Sequence, residues 1–409
     1  MYNDVLQFMP KMLTGKDLDS RLSVFPEYDN AIINQSAPER LIALQDIYQI
    51  FVSNVMSREI YTKLYLALLR SLQKKQSILA VRQSNENSKM IRQKSYESII
   101  GGSDSFSIIG PSGIGKSSSI SRAVNILTEK SVLELSNTKI IACIQIQTPA
   151  DCSVKGLLFE ILRKADEMLS TNYYKNAVKS HATIDMLIGM VSQVALNHIG
   201  LLIVDEIQNV VNNKNGKVII GTLTQLINNA GVSICMVGTP ESTIFFEQEC
   251  MLARRSLGLN YTAMSYDDDF RNFCYIIFNY CYVQQPINID EALLLWLYQH
   301  SDGNASVVVS IIHNAQEIAI LENIECLDIS TLNLAFERRM TMLRGFLNVK
   351  ATKVNTIKKK KTDFPNTVVS PILTEDIKIY QIVMNAKELQ KDIVTELHQN
   401  GFNISEVAI

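Results

Sequence analysis

GPSGIGKS, residues 110–117, is the stretch that decides how this chain is organised. It satisfies GxxxxGK[ST] in full. An apolar run, Ser105 to Ile109, reads as a short buried strand before it, and residues 116–130 read as a helix after it, which is the context the motif requires. Glycines let backbone N–H groups curl round an anion, and the helix N-terminus adds partial positive charge. Lys116 then reaches the β- and γ-phosphates of ATP, and the Ser117 hydroxyl ligates Mg²⁺. The expected nucleotide-binding set is Gly110, Pro111, Ser112, Gly113, Ile114, Gly115, Lys116, Ser117 and Ser118.

Some 90 residues on, LLIVDE (201–206) reads as a buried strand ending in two carboxylates. In open α/β sheets, ligands bind at the carboxyl ends of the strands. Asp205 is expected to hold Mg²⁺ with Ser117, and Glu206 to orient and polarise the attacking water. A further strand, Ser233 to Val237, ends in Gly238-Thr239-Pro240, where the Thr239 hydroxyl could bond that water or the γ-phosphate; the alternative is a turn that only stops a strand. Ala253-Arg254-Arg255-Ser256 reads as a helix, from which Arg254 or Arg255 could reach a neighbouring protomer and stabilise phosphoryl charge in trans, or simply lie solvated. Lys155, Lys214 and Lys217 could touch DNA phosphates, though lysines in polar loops are ordinary.

Outward from the motif, strands at 105–109, 139–146, 201–204 and 233–237 alternate with helices at 116–130, 153–170, 182–198 and 217–230. That is an α/β fold, a parallel sheet flanked by helices. After about Tyr266 only amphipathic segments follow (267–283, 289–300, 304–321, 329–345), which read as a small helical lid. The expected organisation is an extended arm over 1–36, an N-terminal segment of two helices over 37–100, a nucleotide-binding domain over 101–265 and the lid over 266–349. A basic linker (350–372) and a helical tail (373–409) complete it.

The 409 residues carry a net charge of −2, so a nucleic-acid surface must come from local clustering, such as the nine Lys or Arg between Ser57 and Ser95. Seven cysteines form no CxxC pair, and Cys143 and Cys235 lie in strand-like runs, as reduced buried thiols would. The five histidines show no metal-ligand spacing. No basic leader and no run of 18 apolar residues occurs, so the expectation is a cytoplasmic protein without a membrane partner.

The stretches 151–173, 181–210 (with DEIQ) and 232–261 (with GTPE and ARRS), together with the phosphate loop, closely resemble TnsC, the AAA+ regulator of Tns-type transposons related to TniB. The resemblance spans roughly 100–345. It implies an ATPase that assembles as a homo-oligomeric ring or filament on double-stranded DNA, answers a target-selection protein and recruits transposase subunits, the tail being one place of contact. ATP hydrolysis then disassembles it. The family roles fall on Lys116, Ser117, Asp205, Glu206 and Thr239, with Arg254 or Arg255 acting in trans. One departure stands out: many AAA+ lids carry an arginine in a GxxR turn, and here the turn reads Gly303-Asn-Ala-Ser306. Two other readings share the core. An initiator or helicase-loader ATPase would add a winged-helix domain, for which the 48 residues after Lys361 leave little room; a nucleotide-locked scaffold would not need Glu206.

Overall fold

The computed structural model describes residues 6–76, 105–129, 131–135, 138–211, 216–230, 232–244, 258–285 and 289–341. All lie in Met1–Lys350, the first of two compact units of the chain; the second is Ala351–Ile409. The 350–372 linker and the 373–409 tail therefore lie outside the described residues, as does all of the basic stretch beyond Gln76.

Among the described residues the strands are β1 (Phe106–Ile109), β2 (Val132–Leu135), β3 (Thr138–Gln147), β4 (Ile199–Asp205), β5 (Ser233–Gly238) and β6 (Leu259–Asn260). They form one sheet in the order β2-β3-β4-β5-β1-β6, parallel except for β2 against β3. β2 and β6 were not expected from sequence. One is a four-residue antiparallel edge and the other only two residues long, too short to show a period. The register aligns the functional ends: Ile109 lies beside Gly238, and Gln147 beside Asp205.

The helices, in chain order, are α1 (Gly15–Leu22), α2 (Ala37–Ala43), α3 (Val55–Gln76), α4 (Lys116–Leu127), α5 (Val154–Leu169), α6 (Tyr173–Lys179) and α7 (Ile184–His198). They continue with α8 (Gly216–Ala230), α9 (Asp268–Phe278), α10 (Glu291–Ser301), α11 (Ala305–Leu321) and α12 (Ile329–Arg339). Side chains alternate across the sheet. Leu202, Val204, Ile234 and Met236 face one core with α5, α7 and α8, while Leu201, Ile203, Cys235 and Val237 face the other with α1, α3 and α4. Both faces are covered, which is why these strands are apolar throughout. Cys143 and Cys235 are buried free thiols, and burial pushes the Cys143 thiol up to about 12.

The lid, α9 to α12, has a core of its own. Asp267, Asp290, Asn304 and Asp328 each accept a first-turn backbone N–H, and these caps set where its helices begin. α9 stops at Phe278, short of the expected 283, because the buried Gln316 amide captures the backbone beyond it. Gln316 accepts from Tyr282 N (2.7 Å) and donates to Tyr280 O (3.0 Å).

The N-terminal arm differs most from expectation. Residues 6–36 are not simply extended: α1 buries Leu18 and Leu22 against α3 and α4, and Leu13 N donates to the Tyr61 hydroxyl (3.0 Å). The expected first helix of the 37–100 segment ends at Ala43, continues as a 3₁₀ turn to Gln49 and then runs extended, so that Phe51 pairs with Val24. Between these points the chain crosses to the lid. Tyr280 donates to Pro26 O (3.0 Å), Tyr28 donates to Cys281 O, and Leu44 and Ile47 are buried in the lid core. A buried ion pair fixes the crossing, with both Arg40 Nη atoms 2.6 Å from the Glu325 carboxylate oxygens.

Candidate functional site

The 110–117 loop leaves β1 at its carboxyl end, tied to the neighbouring strand by Gly110 N–H to Gly238 O (3.2 Å). Gly113 and Gly115 have φ of +83° and +98°, in the left-handed region that favours glycine. Gly115 caps α4, whose first residue is Lys116. The Lys116 side chain is buried and curls back on the loop, donating to the carbonyls of Gly110 (2.6 Å) and Pro111 (2.8 Å). Burial pushes its ammonium below the ordinary range, against the pull of the Asp205, Glu206 and Glu241 carboxylates.

β4 delivers the two acids beside this loop. Ser117 Oγ lies 3.3 Å from Asp205 Oδ2, while Asp205 Oδ1 accepts from Glu206 N (2.8 Å). Glu206 has φ +57°, left-handed for a residue with a side chain, a conformation that costs on the order of 1–3 kcal/mol and is held by its surroundings. Asn209 Nδ2 donates to Thr148 O (3.1 Å), and Thr148 donates to Asp205 O through both N (2.9 Å) and Oγ1 (3.0 Å).

Gln208 joins this corner to β5. Its Nε2 donates to a Glu206 carboxylate oxygen, and its Oε1 accepts from Thr239 N (3.3 Å). The Thr239 hydroxyl is buried and makes no well-formed hydrogen bond, although it lies close enough to Glu241 to be the largest influence holding that carboxyl below its usual range. A buried hydroxyl without a good partner is one that a group entering the site can satisfy.

Lys116, Ser117, Asp205, Glu206, Gln208 and Thr239 line a single cavity of about 750 Å³, a volume suited to a small-molecule ligand. Its other walls were not foreseen. Ile47, Tyr48, the extended 50–54 segment and the start of α3 form one, and Met264 with Phe273 and Val309 of the lid form another. Nothing in the sequence marked the first wall, because apolar residues keep helical spacing through Ile50 and Phe51 to Val55; Gln208 stood in the DEIQ stretch with no role assigned to it.

Of the remaining expected residues, Lys155 and Lys217 lie away from the cavity. Arg254, Arg255 and Lys214 are outside the described residues. Lys155, exposed in the first turn of α5, sits over the Phe159 ring (5.5 Å to its centroid), and Lys217 is exposed at the start of α8; neither lines the cavity. In the basic stretch, Arg58 pairs with Asp19 (2.6 Å), and Lys75 is turned inward, donating to Ala195 O (2.7 Å) at the end of α7. No group of three or more His, Cys, Asp or Glu suited to a metal ion, and no helix long and apolar enough to cross a membrane, occurs among the described residues.

Residues 101–243 match the family model of the AAA domain, so the loop, the acids and Thr239 all fall within it. The chain has no significant match among curated protein sequences. Among solved structures it is similar to Aeropyrum pernix ORC1 in complex with DNA at 13% identity and TM-score 0.42. That match covers 63% of this chain and 64% of the other, so the chain spans just under two thirds of that relative. It is also similar to Drosophila ORC bound to DNA (12%, 98% of this chain and 86% of that one, TM-score 0.44) and to AMPPCP-bound DnaA from Aquifex aeolicus (13%, 76% and 81%, TM-score 0.35).

Proposed function

We propose that this protein hydrolyses ATP at the 110–118 loop and, in its triphosphate state, assembles as a homo-oligomer on duplex DNA to regulate transposition. The observation that carries the nucleotide part is the convergence, in one cavity, of a buried lysine, the Ser117–Asp205 pair and the under-bonded Thr239 hydroxyl. These groups fit a phosphate chain. Among the described residues Lys116 bonds only loop carbonyls, and it exchanges them for phosphate oxygens.

In this reading Ser117 and Asp205 hold Mg²⁺, which when bound supplies neutralising charge to the phosphates. Glu206 orients a water and accepts its proton, with Gln208 fixing the carboxylate that does so. Thr239 donates its hydroxyl to the nucleophile or to the γ-phosphate. Arg254 or Arg255 of a neighbouring protomer stabilises the transferred phosphoryl group. Lys155, Lys214 and Lys217 contact DNA phosphates.

DNA assembly, the transposase subunits and the target-selection protein come from the sequence resemblance over 151–173, 181–210 and 232–261. Hydrolysis then serves as a timer that releases the assembly. The test is sedimentation and negative-stain imaging with duplex DNA, comparing ATP and a slowly hydrolysed analogue against ADP. Rings or filaments are expected with DNA and triphosphate alone. A monomer indifferent to DNA in every nucleotide state would remove the transposition reading.

A further inference from the structure

The lid reaches the phosphate loop through one turn, Gly303 to Ser306. Asn304 Nδ2 donates to Ser112 O (2.8 Å), and Ser306 N donates to Gly113 O (3.1 Å). The approach is so close that a Cβ at Gly113 would lie 2.4 Å from Ser306 Oγ and 2.7 Å from Asn304 Oδ1. The turn is itself held: Met264 N donates to Gly303 O (3.0 Å), and Asn304 Oδ1 accepts from Ser306 N (3.1 Å) as the cap of α11.

These two lid donors act on consecutive peptide groups of the loop. In a trans peptide the C=O and N–H point in opposite directions. Holding the Ser112 and Gly113 carbonyls from the lid side therefore turns the N–H groups of Gly113 and Ile114 to the other side. A donor on a carbonyl also polarises the N–H of the same peptide group, making it a better partner for an anion.

We infer that Asn304 is a positioning residue for the nucleotide: through the Ser112 carbonyl it orients the phosphate-binding amides and so couples lid docking to phosphate binding. The inference rests on the nucleotide reading above. It assigns the coupling to backbone carbonyls read by an amide side chain, with no cation from this turn.

Asn304→Ser and Asn304→Asp separate this role from helix capping. Both keep an oxygen that accepts a first-turn N–H of α11, so the cap survives, while the donor to Ser112 is lost. Dissociation constants are measured on the full chain with fluorescently labelled ADP and a slowly hydrolysed ATP analogue, beside KM, kcat and the thermal midpoint. One net hydrogen bond corresponds to about a five- to ten-fold change. Both nucleotides are expected to bind about that much more weakly to Asn304→Ser, with KM raised equally and kcat within about two-fold of wild type. Asn304→Asp is expected to bind more weakly still, because it sets a carboxylate against the Ser112 carbonyl oxygen that the amide held.

Unchanged affinity in variants with a wild-type thermal midpoint overturns the inference, and so does a loss confined to kcat. If neither variant folds, hydrogen exchange on the wild-type chain decides: nucleotide is expected to protect amides 304–308, and no added protection overturns the proposal. Wild-type protein that binds but does not turn over ATP removes the hydrolysis reading and leaves this one to be judged on affinity. Protein that binds no nucleotide removes both.

Discussion

Replacing Arg40 by methionine should loosen the N-terminal crossing from the lid at a cost that can be worked out in advance. Its guanidinium donates to both Glu325 oxygens at 2.6 Å and to Tyr282 O at 3.0 Å, with side chains only 4% and 11% exposed. Removing one partner of a buried pair typically costs about 3–5 kcal/mol, because a buried charge is left behind. The stranded Glu325 would keep one donor, Gln284 N at 3.2 Å, so the lower end, about 3 kcal/mol, is expected. The pair is not fully satisfied even in the wild type, since Arg40 Nε is buried without a partner. An apolar Arg40→Met/Glu325→Leu double variant should therefore recover most of the loss. Trp296 in α10, the chain's single tryptophan, reports lid unfolding by fluorescence in urea. With a slope of roughly 2 kcal/mol per M, the midpoint of Arg40→Met should fall by about 1.5 M. The pH dependence has a fixed sign. The Arg40 hydrogen bond holds Glu325 below its ordinary value of 4.5, so its stabilisation is full above that value and is lost as pH falls through the lower folded value. Glu325→Gln should flatten this acid limb. An Arg40→Met midpoint within about 0.3 M of wild type, or a double variant no more stable than the single ones, would refute the reasoning.

Thr239→Val should leave the thermal midpoint unchanged or raise it, because the hydroxyl it removes is buried and poorly bonded, a state that costs about 1–3 kcal/mol. The same change should lower ATP turnover by about ten-fold or more in a phosphate-release assay; a stable variant with full turnover would end the role given to the Thr239 hydroxyl in hydrolysis. Gln208→Ala frees the Glu206 carboxylate and is expected to lower kcat about ten-fold with KM within two-fold, checked by steady-state kinetics. Lys116→Ala should abolish nucleotide binding in a labelled-ATP titration. Glu206→Gln should bind ATP and dissociate from DNA more slowly than wild type; faster loss in a dissociation assay would mean that Glu206 does not act in hydrolysis.

The strands bearing the site were readable because their chemistry is local. GPSGIGKS needs only its glycines, its lysine and the helix behind it, and LLIVDE needs only an apolar run long enough to cross a covered sheet. The lid helices were readable as helices for the same reason, each having a period and a capping Asp or Asn. What sequence did not show is set by partners distant in the chain. α9 ends where Gln316, some 36 residues on, takes its following backbone, and the crossing is held by Arg40 and Glu325, 285 positions apart. No window on the sequence contains both halves of such a contact.

The same distance explains why half of the cavity was missed, and it changes what the N-terminal segment is for. Ile47 is buried in the lid core and also lines the cavity, a few residues before Phe51 pairs with Val24. One short run of chain thus belongs to the lid, walls the cavity and is tied back to the segment that follows α1. A ligand that fills the cavity contacts this run and the lid together, so it must favour the docked arrangement by RT ln(1 + [L]/Kd). By linkage, whatever loosens the crossing must weaken the ligand by the same free energy insofar as binding requires it docked. Arg40→Met is therefore expected to bind nucleotide more weakly although Arg40 is not among the residues lining the cavity, and the Arg40→Met/Glu325→Leu variant to regain affinity as it regains stability. Affinity that stays at the wild-type value while lid stability falls would show that the crossing is an anchor for the lid alone.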